Sequence, residues 1–124
     1  MKFKTVAVVT AVVGCLLGAA FIFLGKLMLS RWQIEATDEL LLLCRRIGVI
    51  YLGLSVLLFF ARSAPVSTAR TAISAGFATA LSLLACLGVY EFVGARVGPG
   101  IFVSAFLEAL LATGFIWVLF TEKK

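Results

Sequence analysis

Histidine is absent from this 124-residue chain, and its three cysteines, Cys15, Cys44 and Cys86, lie far apart with no CxxC pair. These absences take away the ligands of the usual zinc and haem sites and the dithiol signature of redox proteins, so no metal is expected. No nucleophile–base–orienter set can be assembled either, and the hydroxyls are scattered through apolar runs where they can bond their own backbone; no catalytic residue is expected. Charge is scarce: 14% of residues are charged and six are acidic. The basic residues sit singly or in pairs beside apolar runs, which fits anchoring at anionic headgroups and not nucleic-acid binding.

What the chain has in abundance is apolar surface. With 63% hydrophobic residues, it carries more than a soluble core of this size could bury, so the solvent for most of it is lipid. The expected fold is all-α, an integral membrane four-helix antiparallel bundle forming one domain over residues 1–124. Its spans fall at about 5–29, 38–61, 67–93 and 98–120.

The first span begins like a secretory signal, and Val12-Val13-Gly14-Cys15 resembles a lipoprotein cleavage box. The apolar run nevertheless continues through Leu24, about 30 Å of helix, and predicts an uncleaved transmembrane segment. Thr37-Asp38-Glu39 is an N-terminal capping signature for the second span, which Pro65 follows; Ser67-Thr68 opens the third, and the Gly98-Pro99-Gly100 turn precedes the fourth. The connection from Lys26 to Asp38 has room for an interfacial segment, with Trp32 at headgroup level.

Lys2, Lys4, Arg62, Arg70, Lys123 and Lys124 fall at one face; Lys26, Arg31 and Arg96, with Arg45 and Arg46 two turns inside a helix, fall at the other. The positive-inside rule then puts both termini in the cytoplasm, and a bacterial inner membrane is the expected location. Helices attract in lipid by close packing, for which Gly14 and Gly18 on the first span supply small residues, as do Ala72, Gly76, Ala80 and Gly88 on the third. A seam within the bundle is the primary reading of both stripes, a dimerisation face the alternative. Because four short helices expose much apolar surface, a homo-oligomer or association with other membrane subunits is expected.

Glu108 is the residue that packing does not explain. It interrupts the uncharged run Ile101–Phe120 at a depth where a carboxylate needs a partner or a task. Ser104, Ala105 and Ala112 share its side of the helix, which predicts an inward orientation. Arg45 and Arg46 lie at the same depth, and Tyr90 and Glu91 end the third span on that side. These five residues are therefore candidates for a structural ion pair, with Arg46 the first choice for Glu108, or for a polar recess. Known signatures are missing: the first span lacks the glutamate of small multidrug transporters, and there is no Asn-Pro-Ala pair or potassium-channel filter.

The stretch Arg45-Arg46-Ile47-Gly48-Val49-Ile50-Tyr51-Leu52-Gly53-Leu54, in a short four-helix chain, resembles the DoxX-like group of small bacterial membrane proteins and related uncharacterised families. Some members of that group are subunits of quinone-linked oxidoreductases, so the resemblance implies an accessory or quinone-proximal role and carries over no catalytic residue. Two functions remain: a non-catalytic membrane subunit or scaffold of a larger, respiratory-type complex, and a small binding or transfer protein whose recess takes a quinone, a lipid headgroup or an anion. Neither requires a resident cofactor beyond a bound quinone or lipid.

Overall fold

The structure, a computed structural model, describes residues 2–121. Five helices follow in order, α1 (Phe3–Phe23), α2 (Gly25–Arg31), α3 (Asp38–Ala61), α4 (Thr68–Val93) and α5 (Ile101–Thr121), with no strand among the described residues. All but α2 are long and apolar enough to cross a membrane. The chain is thus an all-helical integral membrane protein, its backbone polar groups satisfied within each span as lipid demands. Met1 and residues 122–124 lie outside the described residues, and with them Lys123 and Lys124, which count toward the orientation expected from sequence.

Thr37 caps α3 by accepting from the Leu40 amide at 3.2 Å, and Ser67 caps α4 by accepting from the Arg70 amide at 3.3 Å. The first span departs from expectation. Instead of running on to Leu29, α1 stops where Leu24 leaves helical geometry (φ −122°, ψ 33°), and α2 restarts beyond it. Gly25 is the local cause and the overlooked signal: it weakens the helix, and its bare backbone packs where a Cβ would meet Leu41 at 3.2 Å.

The helices pack as two hairpins. α1 lies closely along α3, and α4 along α5, while α1 and α5 touch lightly and α3 and α4 hardly meet. The α1–α3 seam is built from glycines, Gly18 against the Gly48 carbonyl and Gly14 against Ser55. In the second hairpin Gly88 packs on Ile101 and Ala105, and Phe77 stacks on Phe115 with centroids 5.3 Å apart.

Two clusters of buried residues hold these pairs. At one end Phe3, Val6, Ala7, Leu58, Ala78, Phe115 and Val118 bring all four long helices together. At the other, Phe21, Leu29 and Cys44, with Trp32 and Tyr51 packed against them, belong only to the first hairpin and its connection. The bundle is therefore tight at the end shared by Phe3 and Val118 and splayed at the α2 end. A strap crosses the splayed end: the Gly98 amide donates to the Trp32 carbonyl at 2.8 Å, and Gly100 lies directly against the Arg31 carbonyl.

Candidate functional site

Splaying leaves a cleft between the hairpins. Its larger cavity, 380 Å³, is walled by α1 through Leu17 and Phe21, α3 through Cys44, Ile47 and Tyr51, α4 through Leu84, Leu87 and Gly88, and α5 through Ser104, Leu107 and Glu108; Trp32 and Ile34 roof it. A smaller cavity of 110 Å³ lies deeper and shares Leu17, Tyr51, Leu84, Leu107 and Glu108 with the first. Leu43 on α3 and Leu87 on α4 line the larger cavity yet are each 52% exposed. The cleft thus opens sideways, between α3 and α4, toward lipid. Its α2 end lies under the strap, so the lateral opening is the route by which a molecule from the bilayer can arrive.

Nearly all of this lining is apolar, and the exceptions are grouped. Glu108 and Tyr51 line both cavities, and Ser55 and Thr10 line the deeper one. Thr10 is buried to within 6% of full coverage, and its hydroxyl has no hydrogen-bond partner among the described residues. A hydroxyl at such a position on a helix ordinarily bonds the carbonyl one turn back; this one is enclosed by its neighbours and does not face the open space of the cavity. Ser74 has a second unpartnered hydroxyl and lines neither cavity.

The inward orientation expected for Glu108 is the one observed, but its expected arginine partners are elsewhere. Arg45 and Arg46 are exposed and border a separate surface hollow with Val49 and Ile50. Helical phase explains this. The α3 face that meets α1 and the cleft carries Cys44, Gly48, Tyr51 and Ser55, and at about 100° per residue Arg45 and Arg46 stand some 100° and 200° around the helix from Cys44. Among the described residues no cation pairs with Glu108.

The arginine that does find a carboxylate is Arg96, whose Nε lies 2.5 Å from Oε2 of Glu91 while its guanidinium covers the Tyr90 ring at 4.9 Å. Tyr90 and Glu91 are therefore brought together, as part of a surface cluster at the end of α4. Glu91 also touches the rim of the larger cavity; the exposed Tyr90 does not.

The small-residue stripes separate in the same way. Gly14 and Gly18 serve the α1–α3 seam. On α4, Gly88 is buried against α5, whereas Ala72, Gly76 and Ala80 are exposed, and a Cβ on Gly76 would meet nothing within 4 Å. Gly88 lies about 120° around the helix from Gly76, so the four never formed one stripe; the buried face runs through Ser74, Ala78 and Gly88.

Trp32, expected at headgroup level, folds inward onto Phe21, with ring centroids 6.0 Å apart, and Tyr51 meets the same Phe21 edge-on at 5.7 Å. Tyr51, Thr10, Ser55 and Trp32 are site residues that the distribution of charge does not reveal. The signal for Tyr51 and Ser55 was their spacing from Gly48, which places them on the α3 face that packs inward. Among the described residues no group of His, Cys, Asp and Glu converges to hold a metal ion.

Comparison with protein-family models, with curated proteins and with solved structures finds no match. The resemblance to the DoxX-like group accordingly rests on the stretch Arg45–Leu54 alone.

Proposed function

We propose that this integral membrane protein binds a lipophilic molecule taken from the bilayer, holding its apolar body in the cleft between the hairpins and its polar group against Glu108 and Tyr51. The observation that carries this reading is the grouping of those polar side chains in an otherwise apolar cavity that opens between α3 and α4. A carboxyl group kept in such surroundings without a partner weakens the fold, and intramembrane ionisable residues of this kind mark binding or relay sites. Of the ligands the sequence suggested, an anion is disfavoured, because Arg45 and Arg46 stand outside the cleft. The task is binding or transfer, without catalysis. Mass spectrometry of the protein released from mild detergent tests it: a lipophile of defined mass should be retained, and Ser104→Phe, which fills the cavity, should lose it. Identical adducts on both proteins would refute the cleft as the binding site.

A second reading has support from α4. The exposed Ala72 and Gly76 leave a smooth face, beside the Ala80 that lines the smaller cavity, on which another helix could lie closely, as expected of a homo-oligomer or an accessory subunit in a larger membrane complex. The mass of the particle in nanodiscs decides whether a partner occupies it. Placement in a bacterial inner membrane with cytoplasmic termini belongs to the same proposal and is supported by the lysine and arginine distribution.

A further inference from the structure

The charge and the aromatic groups around the larger cavity narrow its ligand to one chemical class. We propose that the cleft takes a lipophilic ammonium, a tertiary or quaternary nitrogen cation carried on an apolar body; this rests on the cleft being a binding site and adds the identity of what binds.

No lysine or arginine lines either cavity, and the chain has no histidine, so the walls carry charge of one sign only. Arg96 neutralises Glu91 at the rim, at 2.5 Å, which leaves Glu108 as the charge facing the cavity. A lone carboxylate in apolar surroundings is costly to ionise, and so is a lone ammonium. Brought together in low dielectric, each removes the other's penalty, and neither an anion nor an uncharged ligand gains this.

Aromatic placement makes the same distinction. Phe21, Trp32 and Tyr51 all line the larger cavity, and Trp32 and Tyr51 each pack on Phe21, at 6.0 and 5.7 Å, forming one aromatic wall. Such a wall attracts a cation by its quadrupole, and most strongly where water is excluded. An ammonium seated between this wall and Glu108 would place its apolar body among Leu17, Leu84 and Leu107. At 380 Å³ the cavity is within the size range of sites for small molecules. A ligand recognised through carbonyl oxygens, as a quinone is, would meet Glu108 as a neutral acid donating one hydrogen bond and would leave the single-signed charge of the cavity unused.

The test is a binding titration of the full chain in maltoside micelles, where no lipid ammonium competes, with phenylbutyl-trimethylammonium, its uncharged tert-butyl isostere and phenylpentanoate. The cation is expected to bind about tenfold or more tightly than the isostere, and the anion weakest. Glu108→Gln should bring cation and isostere together, and Trp32→Leu, with the carboxylate intact, should weaken the cation more than the isostere. Equal binding of cation and isostere by the native chain, or preference for the anion, overturns the ammonium assignment and leaves the cleft as a binding site. Binding of none of the three overturns both. Competition separates the two sources of such a cation: phosphatidylcholine, but not phosphatidylglycerol, displaces the probe if the natural group is a choline headgroup, and neither does if it is a free lipophilic amine.

Discussion

Gly18 and Gly48 hold α1 and α3 so close that a methyl group added to Gly48 would come within 2.5 Å of the Gly18 carbonyl oxygen, and one added to Gly18 within 2.8 Å of the Gly48 carbonyl. The obstacle is backbone, which cannot rotate away. Gly48→Ala must therefore push the helices apart, at an expected cost of about 1–3 kcal/mol, the range for overpacking. Gly76→Ala, made in open space on the same kind of helix, should be neutral or stabilise by up to about 1 kcal/mol through propensity. Chemical unfolding in micelles compares them; equal effects would mean that the α1–α3 contact contributes nothing particular.

The tight end of the bundle depends on Phe115, fully buried and stacked on Phe77. Phe115→Ala in a water-soluble core costs about 3–5 kcal/mol, part of it transfer from water. Lipid is as apolar as the core, so only lost packing remains, and the expected loss falls below that range. Phe106→Ala, at a ring 68% exposed, should change stability less. A Phe115→Ala protein as stable as the native one would argue against the four-helix cluster.

Glu108 and the arginines of α3 should act independently. In a double-mutant cycle on Glu108→Gln with Arg45→Met or Arg46→Met, the stability changes are expected to add within about 0.5 kcal/mol, as for separated sites. Coupling beyond about 1 kcal/mol would reinstate the ion pair that sequence suggested. The contrast shows what the sequence made legible. Depth can be counted along each helix only roughly: Glu108 shares both cavities with Tyr51, more than a turn further along α3 than Arg45 and Arg46. Azimuth depends on which face of α3 meets a neighbour, and Gly48, whose backbone lies against Gly18 of α1, decides it. The spans themselves were recoverable because apolar length in lipid leaves few alternatives, and the caps at Thr37 and Ser67 fixed two helix starts. The splay between hairpins was not, since it follows from pairing preferences among helices that share nearly the same composition.

Gly100 tests the strap over the cleft. A Cβ there would collide with the Arg31 carbonyl, so Gly100→Ala should detach the turn before α5 from the Trp32 segment and break the bond from the Gly98 amide. The expected result is faster hydrogen exchange at Gly98 and Ile34 with little change in the cluster around Phe3 and Phe115, because the two ends have separate cores. Unchanged exchange at Gly98 would show that the strap is not held by this contact.

A binding site built around an unpartnered carboxyl should lower the stability of the empty protein, and this separates a functional Glu108 from a structural one. If the side chain were part of an ion pair that fixes helix register, removing it would strand a buried arginine and destabilise the bundle by about 3–5 kcal/mol. In the structure no cation stands beside it among the described residues, and its neighbours in the cleft are Leu84, Leu107 and the Tyr51 ring. Glu108→Leu is therefore expected to stabilise the ligand-free protein, on the order of 1–3 kcal/mol given the cost of an ionisable residue near the centre of a span. Such a gain, at the expense of function, is what removing a site-bearing residue produces. The measurement is unfolding in micelles stripped of co-purified lipophiles, with Glu108→Gln alongside to separate the loss of charge from the gain of an apolar side chain. Destabilisation by both variants would assign Glu108 to holding the bundle together, and the cleft would then lack the polar anchor on which binding depends.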